Sequence, residues 1–167
     1  MYYTNTMTVI VIRHELSEAN NRDNYGTPAF GNPEAPLMPE GRERAAMLGE
    51  RLVAEFGIVP ATEPVAVSMM RRAQETAMVA GFRMLHLYPE LNEEKGGLSD
   101  SEIRVALAER RPPEETRQAA RRLLEHPPME GIWVTHALLI ATLCQELGVY
   151  QADRFTPKFG EVRHLPI

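Results

Sequence analysis

A chain of 167 residues is short enough for one hydrophobic core, so residues 1–167 are expected to form a single domain. A composition 44 % hydrophobic and 25 % charged excludes a disordered segment. The formal net charge of -5 excludes bulk nucleic-acid binding, which needs a basic face to displace counterions.

The N-terminal stretch "MYYTNTMTVIVIRH" lacks the basic n-region and long apolar h-region of a secretory leader. Within it, residues 7–12, "MTVIVI", are β-branched and continuously apolar, which suits a strand covered on both faces of a parallel sheet. A polar loop rich in Gly, Pro and Asn follows over residues 21–36. Pro39 is then well placed for a first helical turn, and Leu48, Leu52, Val53 and Phe56 mark the expected buried stripe of a helix that Gly57 can end.

The strand-then-helix pattern recurs. "VAVS", residues 65–68, reads as a short strand, and "MRRAQETAMVAG" as a helix ending at Gly81. "FRMLHL", residues 82–87, is a third strand candidate, followed by a loop over residues 88–98. Two modest helices, roughly 100–110 and 113–125, are separated by Pro112-Pro113. "GIWVTH", residues 131–136, is a fourth strand, and "ALLIATLCQELG" an apolar helix with Gly148 at its end. "EVRHL" near the C-terminus can add an edge strand.

No run approaches the roughly 18 apolar residues of a membrane span, and the lone Cys144 cannot form an intrachain disulfide. A cytoplasmic protein with no membrane or nucleic-acid partner is expected. Strands alternating with helices imply right-handed crossovers and a three-layer α/β/α architecture, with a mainly parallel central sheet and one antiparallel edge strand. Such sheets bind ligands beyond the carboxyl ends of their strands.

Those ends carry the chemistry. The first strand ends in Arg13-His14, the second runs through Ser68 into Arg71-Arg72 at a helix start, and the fourth ends in Thr135-His136. Three segments delivering histidines and arginines to one edge describe a pocket for a small doubly charged anion, with phosphate or sulfate the natural occupant. Arginine offers a planar fork matched to phosphate oxygens, and a helix N-terminus adds backbone N–H groups. Nearby arginines also lower the pKa of a histidine, leaving it neutral enough to act as a nucleophile.

Other residues read more simply. His86, His126 and His164 belong to no such cluster and suit structural or surface roles, and Cys144 suits the core. Arg110, Arg111, Arg117, Arg121 and Arg122 alternate with Glu109, Glu114, Glu115 and Glu125, as on a solvated helix face rather than a basic binding surface. "HELSE" fails the HExxH zinc pattern because residue 18 is Glu, and no other residues have metal-ligand spacing, so no metal is expected. Tyr25 and Phe30 could touch a substrate or simply pin the first long loop.

These motifs resemble the histidine phosphatase superfamily, also called phosphoglycerate-mutase-like. Its first motif, Arg-His-Gly followed at set spacing by Ser or Thr and then Asn, stands here as "RHELSEAN"; its Leu-Thr-x-x-Gly signature resembles "LMPEGRERA". "SMMRRAQETA" is similar to the second-arginine motif and selects Arg72 over Arg71. "LNEEKGG" resembles the Leu-x-Glu segment and points to Glu93, with Glu90 and Glu94 as rivals, and "VTHALLI" resembles the second-histidine motif.

The resemblance implies a metal-independent phosphatase that needs no cofactor. His14 would attack phosphorus and become phosphohistidine, while Arg13, Arg72 and His136 would hold the non-bridging oxygens with support from Asn20. Glu93 would protonate the leaving oxygen and later help water attack. Phosphoglycerate mutases of the superfamily are longer, and the short segment between Glu93 and Thr135 implies a small lid. The implied substrate is therefore a phosphorylated small molecule or a phosphoprotein. The alternative is a weak or inactive relative that binds phosphorylated ligands or serves as an interaction module.

Two positions depart from the motifs: Glu15 and Ala137 stand where the superfamily has glycine. Each adds a side chain that could narrow the pocket. A Glu15 carboxylate facing the phosphate would repel substrate and hold His14 protonated. Turned away, toward a loop arginine such as Arg22, it would leave catalysis intact.

Overall fold

The computed structural model describes residues 6–149 and 154–167; the leader reading of residues 1–5 lies outside them. Five strands form one sheet in the order β3-β2-β4-β1-β5, from β1 (Thr8–Arg13), β2 (Pro64–Val67), β3 (Met84–Leu87), β4 (Ile132–Thr135) and β5 (Val162–Pro166). β1 to β4 run parallel, and β5 pairs antiparallel with β1 at one edge. The fold is thus the expected α/β sheet with one antiparallel edge strand.

Helices cover both faces. α1 (Pro39–Phe56) and α2 (Arg71–Val79) pack on one side; α4 (Glu114–Glu125) and α5 (Ala137–Leu147) pack on the other, where α3 (Asp100–Ala108) also meets α5. β1 shows why its run is apolar throughout: Val9 and Val11 join the core under α4 and α5, while Ile10 and Ile12 face the core under α1 and α2. Among the described residues, no helix is long and apolar enough to cross a membrane.

The α1 stripe differs from the sequence expectation. Leu48 and Leu52 are buried, but Val53 is 48 % exposed, and Gly41, Ala45 and Gly49 complete the packed face. This face is set by close approach rather than bulk. A Cβ on Gly41 would lie 2.0 Å from the Leu16 carbonyl oxygen, and one on Gly49 would lie 2.2 Å from that of Ala80. Small residues bring α1 close to the turn after β1 and to α2, rotating Val53 outward.

Cys144 is buried beside Arg163. Of the basic run, Arg121 pairs with Glu114 on its own helix and both Arg121 and Arg117 reach Glu146 on α5, while Arg110, Arg111 and Arg122 have no acidic partner among the described residues. His86 bonds Glu130, His164 packs on Phe56, and His126 caps α4.

Strand register sets the site. Arg13 pairs directly with Thr135, the His14 N–H donates to the Thr135 carbonyl at 3.0 Å, and the Ser68 N–H donates to that of Val134 at 3.1 Å. Three strand ends therefore finish level with one another. His14, Ser68 and His136 share one edge because the parallel ladder leaves them no other place.

Candidate active site

His14 sits at the centre and is only 2 % exposed. Its Nδ1 lies 2.7 Å from the backbone carbonyl oxygen of Glu15, which can only accept, so the ring carries its hydrogen on Nδ1. Nε2 keeps the lone pair, and Arg72 Nε donates to it at 3.2 Å. Burial lowers the His14 pKa well below the usual imidazole range, and Arg72 and Arg13 lower it further. His14 is therefore neutral, with its basic nitrogen turned toward an arginine.

His136 packs edge-on to His14, with ring centroids 5.1 Å apart. Its Nε2 meets Ser68 Oγ at 2.7 Å; that hydroxyl donates to Asn92 Oδ1 at 2.9 Å, and Asn92 Oδ1 is fixed by the Met69 N–H at 2.8 Å. The imidazole must then be the donor to Ser68, which leaves Nδ1 bare. Burial first, then Arg72, His14 and Arg13, lower the His136 pKa well below its usual range.

Arg72 is 2 % exposed, and burial lowers its pKa while Glu93 and Asp100 oppose the shift. Its Nη2 lies 3.6 Å from Glu93 Oε2. Arg71, the neighbour the motif passed over, pairs instead with Glu75 at 2.8 Å, half out in solvent. Arg13 donates to the Pro157 carbonyl at 2.7 Å and stacks 3.8 Å over the Phe159 ring. Burial pulls its pKa down to about 10, so it stays charged at neutral pH.

Three nitrogen atoms around His14 are buried without a partner among the described residues: Arg13 Nε, Arg72 Nη1 and His136 Nδ1. Buried polar atoms are nearly always satisfied, and leaving one bare costs about 1–3 kcal/mol. Arg13 Nε and Arg72 Nη1 are N–H donors and His136 Nδ1 becomes one when its ring takes a proton, so the three mark a seat for an acceptor-rich anion.

The seat opens into a cleft of about 640 Å³. Arg13, Asn20, Arg72, Glu93 and Ala137 line it; His14 and His136 are buried and do not line it, but His14 is bonded to the lining Arg72 and packs on His136. Asn20 is oriented by Ser17 Oγ, which donates to its Oδ1 at 2.7 Å. Of the rival acids, Glu90 and Glu94 are exposed, and Glu94 accepts from the Gly96 N–H. Among the described residues, no group of three or more His, Cys, Asp or Glu could hold a metal ion.

Glu15 does not line this cleft. Its N–H donates to Thr76 Oγ1 at 3.0 Å, and its carboxylate packs against Gly160, where an added Cβ would lie 2.1 Å from Oε1. Burial raises its pKa, opposed by the Leu16 N–H, Arg44, Arg51 and Arg13. The side chain is thus turned away from the anion seat, toward α1 and the C-terminal loop rather than toward Arg22.

Sequence reasoning did not anticipate Asn92, Pro157 and Phe159. The last two come from the far end of the chain and carry no motif. Asn92 sits beside Glu93 in the quoted "LNEEKGG", so only its partnership with Ser68 was hidden.

The family model of the histidine phosphatase superfamily (branch 1) matches residues 9–132, and the chain belongs to that superfamily. No curated protein matches it. Among solved structures the fold is similar to the protein TTHB049 from Thermus thermophilus, with 21 % identity over 95 % of this chain and 92 % of that one and a TM-score of 0.63. It is also similar to phosphoglycerate mutase from the same organism (20 % identity, 95 % and 92 % covered, TM-score 0.63). A phosphoserine phosphatase mutant from Entamoeba histolytica, solved with phosphoserine, shows 17 % identity, 95 % and 89 % coverage and a TM-score of 0.60. The family match stops short of His136, which the register of β4 against β1 brings to the site.

Proposed function

We propose that the chain, working as one unit over residues 1–167, is a phosphatase that hydrolyses phosphate monoesters through a phosphohistidine intermediate on His14. The observation that carries this reading is the ring of buried, unpartnered nitrogens on Arg13, Arg72 and His136 around a neutral histidine whose Nε2 holds a lone pair.

A phosphoryl group entering the seat separates Arg72 from His14 Nε2 and takes over the arginine's donors. Entering as the monoanion, the ester passes its own proton to His136 Nδ1, making that ring a donor at both nitrogens. His14 Nε2 then attacks phosphorus as the ester P–O bond breaks, and Glu93, which takes a proton from water in the cleft once the phosphoryl group has drawn Arg72 away, gives that proton to the departing alkoxide. Water next attacks phosphorus, Glu93 accepts its proton, and the P–N bond breaks to release phosphate and neutral His14. Charge on the transferring group is met by fixed arginines throughout, which suits a reaction that needs mainly positioning and electrostatics.

The test is hydrolysis of an aryl phosphate in excess chelator, with rapid quench and mass spectrometry to find a phosphoryl group on His14. Turnover with that adduct is expected. If wild type and Glu15→Gly are both silent while phosphate still binds, the protein is a phosphate-binding relative rather than an enzyme.

A further inference from the structure

The anion seat accounts for the inner end of the cleft only. At about 640 Å³ the cleft falls in the range that holds a ligand of drug size, far more than a phosphoryl group alone. Its outer part is built from the loop after β1 and from α3, and each contributes an exposed arginine, Arg22 and Arg104. Among the described residues neither has an acidic partner; Arg83, Arg110, Arg111 and Arg122 share that state, but only Arg22 and Arg104 of these six line the cleft.

Arg104 is also held in place. Its guanidinium lies 5.4 Å from the Phe30 ring centroid and 5.8 Å from that of Tyr25, and those two rings pack on each other at 5.2 Å. Such cation–π contacts use none of the guanidinium's N–H donors. The acids in this cleft do not neutralise the pair: Glu93 faces Arg72, and Asp100 is engaged by Lys95 at 2.6 Å and pressed against Gly31. The same cleft is lined by the apolar side chains of Leu16, Ile103 and Leu107.

We propose that Arg22 and Arg104 form a second anion subsite, and that the substrate is a small phosphate monoester whose alcohol has an apolar or planar body carrying its own anionic group. This rests on the phosphatase reading for the direction of the leaving group, which must run outward past Glu93. A phosphoryl group on His14 and an anion on Arg22 and Arg104 occupy both ends of the cleft, and the body packs on its apolar side chains.

The probes are phenyl phosphate, 3-carboxyphenyl phosphate and 1,3-phenylene bisphosphate; the first two release phenols of similar acidity. Wild type is expected to favour the carboxylated ester over phenyl phosphate by about tenfold in kcat/KM, the scale of a charge-assisted hydrogen bond. In Arg22→Gln/Arg104→Gln that ratio should collapse to near unity, and Arg104→Lys should keep part of it. The bisphosphate arm tells whether phosphate outranks carboxylate at the subsite. A ratio near unity in wild type, or one that survives in the double variant, overturns the proposal. If no ester turns over, the phosphatase reading fails by itself. Calorimetry with phenylphosphonate and 3-carboxyphenylphosphonate then reads the same ratio as binding: tighter binding of the second, lost in the double variant, keeps the subsite, and equal binding removes it.

Discussion

His14 and Glu15 are adjacent in the chain and opposite in surroundings. On the His14 side, Arg13, Arg72 and His136 carry buried nitrogens with no partner among the described residues. On the Glu15 side, a carboxyl group is packed against Gly160 with its own Oε2 buried and unpartnered among the described residues, and Arg44 and Arg51 of α1 are near enough to act on its charge. Successive side chains of an extended backbone point to opposite faces, so one peptide step past β1 suffices to put an anion beside an anion site without entering it. The carboxylate that seems misplaced in the sequence belongs to the clasp behind the site. Through Gly160 and its neighbours it backs the loop carrying Pro157 and Phe159, which hold Arg13.

The sharpest way to break this division is at the His14 side. His14→Ala should lower aryl phosphate turnover by about a thousandfold or more while phosphate binding, read by calorimetry, survives on Arg13 and Arg72. Residual turnover near the wild-type rate would place the nucleophile elsewhere. Glu93→Gln should cost about 10²–10⁴-fold with alkyl phosphates, whose leaving oxygen needs a proton, and much less with an activated nitrophenyl ester. An equal loss on both esters would leave Glu93 as a partner of Arg72 and nothing more.

On the clasp side the effects are on stability. Gly160 has φ +69, and a Cβ there would meet Glu15 Oε1 at 2.1 Å. Gly160→Ala should therefore destabilise by about 2 kcal/mol or more, combining left-handed strain with the contact. Placing it in a Glu15→Gly background removes the contact but not the strain. Urea denaturation of the four proteins should give a coupling of about 1 kcal/mol or more if the buried carboxyl group is held in place; simple additivity would mean that the Glu15 side chain moves aside at little cost.

Much of this was legible in the sequence where local pattern and chemistry coincide. β1, β2 and β4 are apolar runs that end directly in the residues of the site, and parallel pairing then requires those ends to lie together. The α1 stripe was less legible because Gly41 and Gly49 position the helix by what they lack, and a pattern of apolar side chains cannot register that. The surroundings of Glu15 were illegible for a different reason. Gly160 lies at the far end of the chain and Arg51 is reached only after α1 folds back, whereas Arg22, the arginine close in sequence, goes to the cleft instead.

The finest test concerns the charge on Glu15. Burial raises its carboxyl pKa above the ordinary 4.5, outweighing the Leu16 N–H and the arginines that pull it down. The folded protein thus holds this proton more tightly than the unfolded chain does. The associated stability is fully present below the unfolded pKa and is lost as pH rises through the folded value. Glu15→Gln cannot lose a proton, so its melting temperature should exceed that of wild type at pH 8, and the difference should shrink as pH falls toward 4.5. A wild type that is the more stable of the two at pH 8 would mean that Arg44 and Arg51 hold the carboxylate as an anion. The clasp would then be an ion pair rather than a buried acid tolerated behind His14.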